Sequence, residues 1–595
     1  MISRRILLAA TVYALFILGI LWWNWRGEES ALQASAKEET TQAMPYPADM
    51  AARAARIPGL KLCLQAPPPP KDLPWQHSAN TEEAGDSAAR KGGRLRLSNA
   101  GPYPSNLLAF GSPTPQFFHH NLFRAVTLPL VAHHPLKDAP LGAVAAAWCH
   151  TEMEIWYRIH PLARYSNGRP VRAADYLLGA LLQAELRCAE YDALAEHVAE
   201  LRIHGEDVLS VRLRKPLPKP VRQVAALLYA AEPGFYTEFA ASTYRKQYAW
   251  RVPPTTGAYT VDEARRGQYI RLKRIPRWWG SSLPGYKFRF NAATIEHHFL
   301  QDEAQVWELF LRGQLDVLQT RNVAAWNRYH KTPREGIRAA CHKVEYPMPP
   351  YGIALNAATL PDPALRQGLL HAMDMNRAIA AITQGEGERL HNFHTGYGAL
   401  CPQEGELPDF SPEKARACFA RAGYTQAGQD GILRKTDGTR LRVELLHPPI
   451  EKIQTLVNLL AQSAATCGAE IIPTTLSWQN SQRRQEEGTH ELLYWATAAT
   501  ETPEPALYFS SCAPRNQSPF GLKDAIMDQL LEQYRTHPTA PHLEAIEQRI
   551  RECAIWLPGW KENRIYLLHH ARIHAPQVPG IFDVTEGHYL WVDTP

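Results

Sequence analysis

The stretch Thr256 to Gly280, TGAYTVDEARRGQYIRLKRIPRWWG, holds the decisive local pattern of this chain. Two extended runs, Ala258 to Val261 and Tyr269 to Arg274, flank Arg265-Arg266-Gly267, which predicts a β-hairpin. Upstream, Arg94-Leu95-Arg96-Leu97 alternates as a strand after Gly92-Gly93, and Met153, Ile155, Tyr157 and Ile159 do so in another. A helix at about Ala173 to Cys188 carries Tyr176, Leu177, Ala180, Leu181 and Ala184 as one apolar stripe. Downstream, Asp362-Pro363 and Ser411-Pro412 each set a capping residue before a proline at the first helical position, and Gly423 ends the latter helix. Leu441 to Leu446, a stripe of Ile453, Leu456, Val457 and Leu460 ending near Gly468, and Ile471 to Leu476 read strand, helix, strand, a parallel crossover. A mixed sheet in one region and an α/β layer in another predict an α/β protein with two lobes around a cleft.

Composition narrows the function. Among 595 residues, 45% are hydrophobic and 21% charged, ordinary values for a chain that folds in water. Sixty-four Lys and Arg against 59 Asp and Glu leave a net charge of +5 with no basic run, so nucleic acid is not an expected partner. Forty-seven prolines, 16 tryptophans and 24 tyrosines suit a polar, adaptable binding cleft better than a small catalytic pocket.

Residues 6–23, ILLAATVYALFILGILWW, carry no charge and as a helix would span roughly 27 Å, near the thickness of a bilayer core. Arg4 and Arg5 precede the segment, Trp22, Trp23 and Trp25 close it, and no small-x-small cleavage site follows. Residues 1–26 are therefore expected to be an uncleaved inner-membrane anchor with the remainder exported. Residues 27–92, rich in Glu, Ala, Ser and Gln and containing Pro67 to Pro70, read as a flexible tether. The nine cysteines form no Cys-x-x-Cys pair, which excludes a zinc ribbon or thioredoxin-type site.

From about residue 92 to 578 the order of segments resembles the extracytoplasmic solute-binding proteins of oligopeptide, dipeptide and nickel ABC transporters, family 5. The resemblance rests on Ala163 to Asp175 (ARYSNGRPVRAAD), on the Thr256 to Gly280 hairpin and its Trp-Trp-Gly close, and on Arg312-Gly313-Gln314-Leu315-Asp316. It continues in Ile353 to Asn356, in the helix from Asp362 through Arg366 to Asp374, and in Ser411 to Tyr424. Asn167 and Gln314 stand where the family usually has Asp and Glu. Tyr508 to Ala513 and Leu557 to Trp560 are most similar to the branch that includes microcin C and related peptide binders. The resemblance implies a two-lobed periplasmic-binding-protein fold with mixed sheets and a hinge. Its expected parts are residues 93–295 as lobe one with an extra subdomain, 296–500 as lobe two, and 501–595 returning to lobe one. It also implies a peptide or peptide-like ligand, an ABC permease as partner, and neither catalysis nor a cofactor.

On that resemblance Tyr351 and Asn356 flank a cleft strand, and Trp495 ends another. Many peptide binders of the family carry an Asp shortly after this Trp to hold the peptide amino group. Here Ala498 stands in its place, and Glu501 or Glu504 would have to substitute. A solute-receptor fold used as an envelope sensor or assembly partner is the alternative, motivated by the anchor and the missing Asp. Enzyme motifs such as Gly-x-Ser-x-Gly, His-Glu-x-x-His or a phosphate loop are absent. Four adjacent His pairs, His119-His120, His133-His134, His297-His298 and His569-His570, make poor chelators, since neighbours on a strand point to opposite faces.

Overall fold

The computed structural model describes residues 46, 50–57, 59–78, 81–100, 103–111, 122, 126–136, 139–217, 219–300, 302–320, 323, 326, 327, 329, 334–343, 347–497, 502–561, 564–576 and 587–593. The expected anchor at residues 6–23 lies outside the described residues, among which no helix is long and apolar enough to cross a membrane. Numbered along the chain, the strands of three large sheets begin with β1 (Lys61–Cys63), β2 (Arg94–Ala100), β3 (Ala145–His150), β4 (Glu154–Ile159), β5 (Val198–His204) and β6 (Val208–Leu213). Next come β7 (Tyr259–Arg265), β8 (Tyr269–Arg274), β9 (Thr294–Leu300), β10 (Val317–Thr320) and β11 (Ile337–Lys343). Then follow β12 (Gly352–Leu355), β13 (Arg442–His447), β14 (Glu470–Thr475), β15 (Leu492–Trp495), β16 (Trp556–Pro558) and finally β17 (Arg564–His570).

Lobe one is built on the seven-stranded sheet β11-β17-β10-β2-β9-β8-β7, with the five-stranded sheet β1-β5-β6-β4-β3 as its subdomain. Lobe two has the sheet β14-β13-β15-β12-β16. The decisive hairpin forms as expected, β7 against β8, with an irregularity between Arg271 and Leu272. Its close is locked by one carbonyl: Trp278 and Trp279 both donate their indole N–H to Thr256 O, at 3.0 and 2.9 Å. The crossover is also found, β13 parallel to β14 across the helix Glu451–Thr466. Asp362 and Ser411 cap their helices by accepting from Ala364 N and Lys414 N. Gly423, at φ +88°, closes the helix Pro412–Arg421 in a conformation that a side chain would strain.

Strand pairing moves the lobe boundaries expected at 296 and 501. β9 lies parallel beside β2 from Thr294↔Arg94 to Leu300↔Ala100, and β10 and β11 join the same lobe-one sheet. β16 pairs with β12, so the chain remains in lobe two until after Lys561. The crossings therefore fall between Lys343 and Gly352 and between Lys561 and Arg564. Local motifs identify a strand but not the strand it will bond to.

The tether reading of residues 27–92 also differs from the structure where that range is described. Met50–Ala54 is a helix, and Met50, Ala54 and Leu60 are buried in the lobe-one core. β1 adds to the subdomain sheet parallel to β5. Arg53 grips Glu185 with two bonds, Tyr46 donates to Asp175 at 2.8 Å, and Trp591 donates to Asp86 at 3.0 Å. Polar composition concealed a belt that needs little apolar surface of its own, because it borrows the core of lobe one.

Asp175 anchors the helix Ala173–Leu186, accepting from Arg172 N at its start. The same buried carboxylate takes the hydroxyls of Tyr46 and Tyr165 and the guanidinium of Arg169. Burial pushes this carboxyl up, while Arg169 and the hydrogen bonds pull it down. Further along the helix, a side chain at Gly179 would run into the carbonyl of Tyr229, so this close approach requires glycine.

Candidate functional site

The site follows from strand direction. β13, β14, β15 and β16 all end at the edge of the lobe-two sheet where the antiparallel β12 begins. Both crossings to lobe one leave from that edge. In lobe one, the parallel strands β2, β9 and β10 end, together with β11, at the edge from which the chain crosses to lobe two. Ligands of open α/β sheets sit outside the carboxyl ends of the strands, and here two such edges face each other. The space between them is the candidate cleft. The crossings adjoin β12 and β16, so β14 lies farthest from the hinge, roughly 19 Å across five strands at about 4.8 Å each.

At the hinge end, Tyr351 is half-buried and stacks on Trp560, rings 5.2 Å apart and 8° from parallel, with Lys452 Nζ 4.9 Å over the same indole. Ion pairs from Lys343 to Glu388 and from Arg564 to Glu386 fasten the crossings. Trp495, in the middle of the row, reaches the cleft edge but is 6% exposed. Its ring lies under Phe393 at 5.9 Å and Tyr508 at 5.5 Å, so it supports the wall.

Asn356 is not a cleft residue. It follows the opposite end of β12, is 1% exposed, and donates to Gly488 O and His490 O while accepting from Ala358 N. A strand of four residues has two ends, and only the Tyr351 end meets lobe one. Glu504 is half-buried beyond Trp495, its carboxyl raised by burial first and then by Glu196 of lobe one, against Lys215. Glu501 and Ala498 lie outside the described residues.

Three residues were overlooked in the sequence. Ile450 follows β13 and Trp478 follows β14, both at the cleft edge and respectively 53% and 62% exposed. The signal for Trp478 was legible: Ser477 caps the helix Trp478–Glu487 through Asn480 N and so sets a large aromatic at a strand end. On the lobe-one wall Tyr103 follows β2, stacked on Trp250 and edge-on to Phe299, its hydroxyl buried without a described partner. Among the described residues no three His, Cys, Asp or Glu side chains gather as metal ligands.

Comparison with known proteins agrees with this architecture. Over 326 residues the chain is 22% identical to a peptidoglycan-binding protein of Agrobacterium fabrum, a match spanning 51% of this chain and 52% of that one. It is 22% identical over 449 residues to the nickel-binding periplasmic protein of Escherichia coli, across 70% of this chain and 80% of the relative. The solved structure of an oligopeptide-binding protein from Bacillus subtilis in complex with a nonapeptide superposes with a TM-score of 0.67 at 13% identity, covering 85% of this chain and all of that one. Residues 146–518, more than half of the chain, match the family model described as bacterial extracellular solute-binding proteins, family 5 middle, and the chain belongs to that family.

Proposed function

We propose that this protein captures a peptide or peptide-like solute between its lobes and presents it to an ABC permease, held at the inner membrane by residues 6–23. The observation that carries the reading is the pair of facing carboxyl edges with aromatic side chains on both walls, Tyr103 on one and Tyr351 and Trp478 on the other. Flat rings and backbone groups suit extended chains of varied sequence, and a row of about 19 Å accommodates five or six extended residues. Two of the three relatives are of the same class by name, the Bacillus subtilis protein with its nonapeptide and the Agrobacterium protein named for peptidoglycan, whereas the Escherichia coli protein is named for nickel. Glu504 is the proposed partner of the ligand's amino group, in place of the Asp that Ala498 replaces.

Mass spectrometry of small molecules released from the natively purified full chain tests this reading. Recovery of peptides or muropeptides supports it. A cleft that co-purifies with none, and binds no member of a peptide mixture saturably in equilibrium dialysis, overturns it. N-terminal sequencing that begins beyond Trp25 would refute the anchor.

A further inference from the structure

Among the described residues, a partly buried hydrogen bond crosses between the lobes away from the hinge. Gln223, on the lobe-one helix Pro220–Leu227, donates from Nε2 to Thr502 Oγ1 of lobe two at 2.6 Å. Its own Oε1 accepts from Lys219 N at 3.2 Å, which fixes the orientation of the amide and aims the N–H₂ group at lobe two. Thr502 is 1% exposed, and Pro503 and Pro505 restrict the backbone that carries it. The bond lies just past the carboxyl end of β15, whereas the ion pairs at Glu386 and Glu388 lie at the crossings. It therefore breaks when the lobes part, while the hinge pairs need not. Beside it Lys215 of lobe one, 3.3 Å from Glu196, acts electrostatically on Glu504 and Glu532 of lobe two.

We propose that Gln223 and Thr502 form a closure latch that stabilises the closed arrangement in the absence of solute and so sets the baseline affinity for every ligand. The proposal rests on the two-lobed receptor reading, but it acts on the empty protein. When the lobes open, both groups pass to water, so the net effect is that of one ordinary hydrogen bond rather than of a stranded polar group. Such a bond changes the closed-to-open ratio about threefold to tenfold.

The test is single-molecule energy transfer on the full-length protein without ligand, with dyes carried by non-natural residues at Glu152 in the subdomain and Lys414 in lobe two. Gln223→Ala and Thr502→Val should each shift the closed-to-open ratio toward open by about threefold to tenfold. The double variant should fall short of the sum of the two single effects by about the worth of the shared bond, because that bond is lost only once. Melting temperatures of Thr502→Val, nearly isosteric, control for misfolding. A ratio unchanged in both single variants, or effects that add in the double variant, would overturn the latch. Because no solute is present, failure of the latch is distinct from failure of the peptide-receptor reading, which is tested by what the native protein retains.

Discussion

Glu504 shows how one side chain's surroundings bear on ligand choice. Burial, and then Glu196, hold its carboxyl above the ordinary glutamate value. A bound ammonium group needs that carboxylate ionised and lowers its pKa, so binding releases a proton. Affinity for a free-amine peptide should therefore fall as pH drops through the raised pKa, above 4.5, while an N-acetylated peptide shows no such fall. Glu504→Gln should weaken the free peptide at neutral pH by about tenfold or more, equivalent to roughly 1.4 kcal/mol, and leave the acetylated one nearly unchanged. Calorimetry on the pair at two pH values decides; if acetylation costs less than tenfold in the wild type, no acidic partner holds the amine. Asn356 gives the contrasting case. Asn356→Ala leaves Gly488 O without this donor and Ala358 N without its acceptor, while Thr359 Oγ1 still donates to His490 O, and should cost about 1–3 kcal/mol in chemical denaturation, with ligand affinity intact.

At the scale of elements, helix starts divide into supports and contacts. Ser411 supports the helix Pro412–Arg421, and Ser411→Ala should cost about 1 kcal/mol of stability through the lost bond to Lys414 N. Trp478, the first residue of its helix, is exposed at the lip farthest from the hinge. Trp478→Ala should leave stability within about 0.5 kcal/mol, yet weaken longer peptides more than short ones, as measured by titration of a length series. The strand β14 beside it forms the sheet edge and carries Pro473, which withholds a backbone donor and blunts pairing with another chain.

At the scale of the molecule, the belt from Tyr46 to Gly92 makes the N-terminal region part of lobe one. A chain beginning at residue 93 loses buried Met50, the Arg53–Glu185 pair and the Tyr46 bond to Asp175. It should be less stable than one beginning at residue 46 by about 3 kcal/mol or more, seen as a lower midpoint in denaturant. Equal midpoints would mean that the belt rests on the surface without stabilising it. The belt's described contacts all run to lobe one, which leaves lobe two free to move against it.

Much of this was legible in the residues themselves. The hairpin around Gly267, the caps at Asp362 and Ser411, the crossover from Leu441 to Leu476 and the two-lobed class all follow from rules that act over a few residues, namely turn chemistry, capping and periodicity. The resemblance puts Tyr351 beside a cleft strand, and in the structure it precedes β12 at the edge that carries the candidate cleft. Asn356, the lobe boundaries and the belt were not legible, because which end of a strand meets the other lobe, which strand β9 bonds to, and whether a polar segment finds a core to lean on are set by partners far away in the chain. The sequence by itself determined the local elements and the family. Only the tertiary structure decided which side chains face the cleft, because pairing and burial are relations between distant residues that no local pattern encodes.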